Sequence, residues 1–119
     1  AAIRAAVGPD FFINARTDFF LQAGAQGHAG LLADAIIRGQ AYAEAGASGF
    51  FVPKLGDVGL IAQVCAQVPL AVNIMMLPDI APRGDLAAAG VARISYGPSS
   101  YFATMATLTE AAQVIYRQE

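Results

Sequence analysis

Four short apolar runs, each followed by a stretch of helical periodicity and none joined to the next by a hairpin turn, constrain this chain more than any other feature. They begin at Phe11, Gly49, Leu70 and Val91. Strands that alternate with helices pair in parallel through right-handed crossovers, so the chain is an α/β protein built of parallel (β/α) units. A parallel sheet needs both faces covered or its edges closed. Four such strands make either a small doubly wound sheet or half of an eight-stranded barrel. The barrel reading is favoured by polar groups on one face of three strands: Asn14 and Arg16, Asn73, and Arg93 with Ser95. No Gly-rich phosphate fingerprint follows the first strand, which weighs against the doubly wound alternative. Residues 1–119 therefore read as one partial domain, because a full barrel takes roughly 250 residues.

The segments follow in order. Ala1 to Val7 reads as the tail of a helix begun upstream, and Gly8, Pro9 and Asp10 turn it into the first strand. That strand runs from Phe11 into the polar cluster Asn14 to Asp18. Alternation places Phe12, Asn14 and Arg16 on one face and Phe11, Ile13, Ala15 and Thr17 on the other. Phe19 to Gly30, with three glycines and the single histidine, reads as a long functional loop. A helix over Leu31 to Ala45 should stop at Gly46, and the second strand closes at Pro53. Asp57 is the expected N-cap of a helix that Pro69 ends. The third strand spans Leu70 to Met76, and a proline-rich loop leads to a short helix from about Arg83 to Ala89, stopped by Gly90. The fourth strand, Val91 to Tyr96, turns at Gly97 into a last helix striped with Phe102, Met105, Leu108, Ala112 and Ile115, a stripe for core or for a subunit contact.

Composition narrows the function classes. Only 13% of residues are charged and the net charge is −2, with no basic stripe, so nucleic acid is not an expected partner. No apolar run approaches the roughly 18 residues a membrane span needs. So little charge on a chain that is 56% apolar implies hidden surface, either in an oligomer or against another piece of protein, and a homo-oligomer is the expected form. One cysteine, Cys65, excludes an internal disulfide and suits a reducing cytoplasm; its place on a helix stripe makes it core.

Arg16 is the principal candidate site residue. A guanidinium brought into an interior needs a partner; alternation along the strand points Asp18 the opposite way, which leaves an anionic ligand as the missing partner. The alternative is a structural arginine paired with a carboxylate of the rim, and Asp18 reads as a loop-ordering cap or an arginine partner rather than a catalytic acid. Asn14 and Asn73 on the same face are candidate substrate contacts, and His28, in the long loop at the face where sites lie, and Lys54, directly after the second strand, are secondary candidates. Arg93, at the start of its strand, is expected in an interior ion pair. Ser95, Ser99 and Ser100, with Gly97, precede a helix N-terminus where an anion could bind, and capping of the helix is the default expectation. The nine acidic residues are scattered singly, with no Asp-x-Asp pair, so no metal ligands are assigned within the chain.

Four segments carry a family resemblance: Phe-Ile-Asn-Ala-Arg-Thr-Asp from Phe12, Ala-Tyr-Ala-Glu-Ala-Gly-Ala-Ser-Gly-Phe-Phe-Val-Pro from Ala41, Pro-Leu-Ala-Val-Asn-Ile-Met from Pro69, and Gly-Val-Ala-Arg-Ile-Ser-Tyr-Gly-Pro from Gly90. In order and spacing the chain resembles the isocitrate lyase / phosphoenolpyruvate mutase superfamily, and within it the phosphonomutase-like, carboxyphosphonoenolpyruvate-mutase-type members. The resemblance implies a TIM-type (β/α)8 barrel of which these are strands five to eight, the carboxy-terminal half. It implies Mg2+-dependent cleavage or formation of C–C or P–C bonds in small 2-oxo or enol acids. It also implies homotetramers that exchange the eighth helix. Arg16 matches the arginine that grips the substrate's carboxylate or phosphonate, and Asn73 matches a pocket asparagine of the lyase branch. The family's magnesium carboxylates, phosphate loop and mobile catalytic loop belong to strands one to four, so the metal ligands are expected outside this half, and the half alone is expected to be inactive. At the end of strand six, where lyases and the mutase place glutamate or histidine, this chain has Pro53.

Overall fold

Backbone pairing joins β1 (Asn14–Arg16), β2 (Gly49–Val52), β3 (Ala71–Met75) and β4 (Arg93–Ser95) into one four-stranded sheet in the order β1-β2-β3-β4, every pair parallel. This is a computed structural model, and it describes residues 1–117. The connections carry α2 (Phe19–Gln22), a 3-10 turn (Ala25–Gly27) and α3 (His28–Glu44) after β1, α4 (Val58–Gln67) after β2, and α5 (Arg83–Ala88) after β3. A short α1 (Ala2–Val7) precedes the sheet and α6 (Ser99–Tyr116) follows it.

Alternation explains the layers. Phe50 and Val52 of β2 and Val72 and Ile74 of β3 turn to one face, where they meet Ala35 and Ile36 of α3, Ile61 and Val64 of α4, and Leu86 of α5. Phe20 and Leu55, both at 0% exposure, close this core at the carboxyl ends of the strands. α3 approaches β2 closely because Gly39 has no side chain: a Cβ there would fall 2.8 Å from Val68 Cγ2 and 3.0 Å from the Phe50 ring. The expected stops hold. Gly46 (φ 89°) and Gly90 (φ 96°) take the left-handed conformation after α3 and α5, and Asp57 Oδ1 accepts from the Leu60 amide at 2.9 Å.

Two expectations change, and one left open, core or subunit contact for the stripe of the last helix, is narrowed. The first strand starts at Asn14 rather than Phe11, because side chains take the backbone groups before it. The Phe11 carbonyl accepts from Arg4 Nη1 at 2.7 Å and the Ile13 amide donates to Ser48 Oγ at 3.1 Å. Phe11 and Phe12 remain 58% and 54% exposed. The segment expected as a long loop is largely helical: α2 forms because buried Phe20 anchors it against α3, and α3 itself begins at His28. The last helix buries none of its stripe among the described residues; Phe102, Leu108 and Ile115 are 62%, 60% and 69% exposed. Because α6 projects away, the molecule measures 63 × 35 × 27 Å with a radius of gyration of 17.9 Å. A compact chain of this length would have about 13 to 14 Å.

Candidate functional site

The ladder register sets Arg16 opposite Phe51, Phe51 opposite Asn73, and Asn73 opposite Arg93, so one row across the sheet carries these four side chains on the face away from α3 and α4. Arg16 is the last residue of β1, and the chain turns at once into α2. That turn swings Asp18 back, and its Oδ1 accepts from Arg16 Nε at 2.5 Å. The expectation that Asp18 points away is therefore overturned: residues two apart lie on the same side of a strand, and the turn preserves that relation. The two side chains are 51% and 48% exposed, and they form the one salt bridge among the described residues. Arg16 Cζ also lies 5.9 Å from the centroid of the Phe51 ring. Its carbonyl accepts from the Tyr42 hydroxyl at 3.3 Å, which ties the strand end to α3.

Asn73 sits next in the row but one, 2% exposed, and its Oδ1 accepts from Ser95 Oγ at 3.1 Å. With the oxygen taken, the amide NH2 is the group left to donate. Asn14 lies one layer nearer the amino ends of the strands. Its Oδ1 is buried without a hydrogen-bond partner, beside Gly49, where a Cβ would come within 2.9 Å of that oxygen and of Phe12 Cζ. Asn14 and Asn73 line one hollow of about 310 Å3 with Phe12, Ala71, Ala92 and Arg93. Arg93 is exposed and has no ion pair among the described residues, contrary to the interior pair expected of it. β4 is an edge strand in the described fold, so nothing lies on its far side to supply a carboxylate.

His28 and Lys54 belong elsewhere. They line a separate cleft of about 420 Å3 with Asp57, Leu77, Pro78 and Ile80. His28 is not a solvated loop residue: it opens α3 at 5% exposure, its Nε2 lies 3.1 Å from the Phe20 carbonyl, and its ring meets the Phe20 ring edge-on at 5.2 Å. Lys54 is exposed with φ 70°, the one residue other than glycine in the left-handed region among those described. Its neighbours Pro53 and Leu55 are both buried, and turning the chain between them in a single residue forces that conformation. Burial raises the Cys65 thiol above its ordinary value, in keeping with its place against the core. Ser99 Oγ donates to the Tyr96 carbonyl at 2.7 Å and makes no cap to α6.

Sequence reasoning missed Arg4. Its Nε donates to the Gly46 carbonyl at 2.9 Å, Nη1 to the Gly8 and Phe11 carbonyls at 2.6 and 2.7 Å, and Nη2 to Ser48 Oγ at 2.8 Å. One cation thus ties α1, the approach to β1 and the approach to β2 together. Its position one helical turn before Gly8 was the available signal, since a long side chain there reaches the carbonyls of the turn.

The described residues include no group of three or more His, Cys, Asp or Glu side chains that could hold a metal, and no helix long and apolar enough to cross a membrane. Comparison with known proteins adds the wider context. Residues 1–116 match the phosphoenolpyruvate phosphomutase family. The chain is 35% identical to the 2-methylisocitrate lyase of Escherichia coli K12, across 100% of its own length and 39% of that enzyme. It is 34% identical to an uncharacterized protein of Mycobacterium tuberculosis H37Rv, across 90% of this chain and 40% of that one. Among solved structures, a Burkholderia cenocepacia J2315 protein assigned as a phosphonomutase superposes with a TM-score of 0.83 at 45% identity, covering 94% of this chain and 44% of that one. A second from the same organism, assigned as a lyase/mutase, gives 0.81 at 31% identity, covering 95% and 40%. The chain spans about two-fifths of the length of the curated relatives it matches. With the family matched along nearly all of its length and the four parallel units in place, the chain belongs to the phosphoenolpyruvate phosphomutase family of the isocitrate lyase / phosphoenolpyruvate mutase superfamily.

Proposed function

We propose that this chain forms strands five to eight of a (β/α)8 barrel in an intact enzyme that makes or breaks C–C or P–C bonds in small 2-oxo or enol acids. The observation that carries this reading is the placement of Arg16. It stands at the carboxyl end of β1, on the face opposite the helices, with Asn73 in the same row. Carboxyl ends of parallel strands are where barrel enzymes keep their chemistry. A guanidinium there binds a carboxylate or phosphonate through a planar fork, stays protonated at any working pH, and steadies the charge of a developing enolate. The free NH2 of Asn73 donates to a second substrate oxygen, oriented by the bond from Ser95. Pro53 offers neither proton donor nor acceptor, so no proton transfer is assigned to the end of β2.

Magnesium enters the proposal only through ligands outside the described residues, since these hold no carboxylate set that fits it and Asp18 is engaged by Arg16. The apolar, uncovered stripe of α6 supports a homo-oligomer in which that helix packs against another subunit. A second reading is a non-catalytic half-barrel that binds a small anion or pairs with another half through the outer edges of β1 and β4, which carry no partner strand among the described residues.

The test is turnover by the intact protein with Mg2+ and a panel of 2-oxo acids, C–C cleavage substrates and phosphonates. Arg16→Ala is expected to lower kcat/KM by roughly a hundredfold or more while the fold persists, since a single charge-stabilising donor is commonly worth that much. Equal activity of the variant and the wild type would overturn the role given to Arg16. Absence of turnover across the panel, with anion binding retained, would favour the second reading.

A further inference from the structure

We infer that Asp18 is a positioning residue for Arg16: its carboxylate holds Nε so that the Nη1/Nη2 edge of the guanidinium is presented to an anionic ligand. The inference rests on the anion-binding reading of Arg16 given above. Arginine has two edges that accept a carboxylate, one formed by Nε with an Nη and one formed by the two Nη atoms. In the structure Asp18 Oδ1 takes Nε at 2.5 Å and no other hydrogen bond from the guanidinium is made among the described residues, so the Nη pair is left to bind. The Phe51 ring flanks the same group at 5.9 Å, and the Tyr42 hydroxyl holds the Arg16 carbonyl at 3.3 Å, so the side chain is constrained at tip, flank and root.

Two features argue that the carboxylate is there for orientation. The Asp18 side chain makes no capping bond to α2, although the residue occupies the N-cap position and its backbone carbonyl accepts from the Leu21 amide at 3.1 Å. A pair this exposed also contributes little to folding, because solvent screens it. What remains is geometry: a long arginine side chain loses much rotamer freedom on binding, and a partner already holding Nε removes part of that cost.

The two possible roles of Asp18 predict opposite signs. If it merely neutralises Arg16, deleting it removes a negative charge beside an anion site and binding tightens. If it orients Arg16, deletion weakens binding even though the repulsion is gone. The experiment is titration of the intact protein with oxalate, a planar dianion shaped like an enolpyruvate head, by calorimetry in buffer containing Mg2+. Wild type, Arg16→Ala, Asp18→Ala, Asp18→Asn and Asp18→Glu are compared, with thermal melts to establish folding. Expected are loss of oxalate binding in Arg16→Ala, weakening of roughly five- to tenfold in Asp18→Ala from the misplaced fork, an intermediate loss in Asp18→Asn, and recovery in Asp18→Glu. Unchanged or tighter binding in a folded Asp18→Ala, with Arg16→Ala still unable to bind, overturns the positioning role and leaves the anion site standing. Full oxalate binding by Arg16→Ala overturns both. Should Asp18→Ala fail to fold, the contrast between Asn and Glu decides: equal affinity in those two refutes the inference.

Discussion

Arg16 shows what a residue's neighbours in sequence can and cannot reveal. Its placement at a strand end on the polar face was legible from alternation, and so was the face it shares with Asn73, although Asn73 lines its hollow with Asn14 and Arg93 rather than with Arg16. Of the two readings of Asp18, loop-ordering cap and arginine partner, the structure has the second; alternation alone pointed it away, because the outcome depends on how the chain turns into α2. His28 was misplaced for the same reason: a helix start next to glycines has weak local propensity, and burial of Phe20 decides it. Cys65 yields a pH prediction. Burial raises its pKa in the native state, so the folded chain keeps a proton that the unfolded chain releases near the ordinary thiol value. The contribution is therefore fully present below that value and declines as pH rises through it. Thermal melts of wild type and Cys65→Ala should run parallel near neutrality, and the wild type should fall relative to the variant in alkaline buffer; modification by a thiol reagent at neutral pH should be slow. Lys54 gives a second. Because its φ of 70° suits glycine, Lys54→Gly is expected to raise stability in urea by about 0.5 to 1 kcal/mol, the relief of strain exceeding the added freedom of the unfolded chain.

Elements were legible where period and punctuation agreed. α4 emerges as expected between the Asp57 cap and Pro69, and Gly46 ends α3 as a left-handed stop. Asp57→Ala should cost about 1 kcal/mol in denaturant melts, the usual worth of an N-cap. Strand lengths were overestimated at β1 because apolar character does not show which backbone groups are already taken by Arg4 and Ser48. Gly39 was invisible as a constraint: inside a helical pattern it reads as a weak helix former. In the fold it is where α3 meets Val68 and the Phe50 ring. Gly39→Ala is therefore expected to destabilise by about 1 to 3 kcal/mol through overpacking, despite a helix-propensity gain of roughly 1 kcal/mol. A variant that melts higher than wild type would show that the two layers have room to separate.

At the scale of the whole molecule, parallel strand order followed from the alternation of strands and helices, and the observed order β1-β2-β3-β4 agrees with it. The disposition of α6 was not legible, since an apolar stripe looks the same whether it faces its own core or another subunit. Paired Phe102→Asp and Leu108→Asp substitutions should reduce the solution mass of the intact protein by light scattering while leaving its melting temperature nearly unchanged in the sheet; an unaltered mass would remove α6 from the assembly. The Arg4 network bears on the site through the register of β1. Ser48, held by Arg4, also anchors the Ile13 amide one residue ahead of the ladder, so this guanidinium acts as the peg that keeps β1 from sliding along β2. A slip of a single residue would turn every β1 side chain over, sending the charged tip of Arg16 beneath the helices and bringing Thr17 out in its place. The address of the proposed anion contact is thus written some twelve positions upstream, in a residue whose own donors are spent on backbone carbonyls and Ser48.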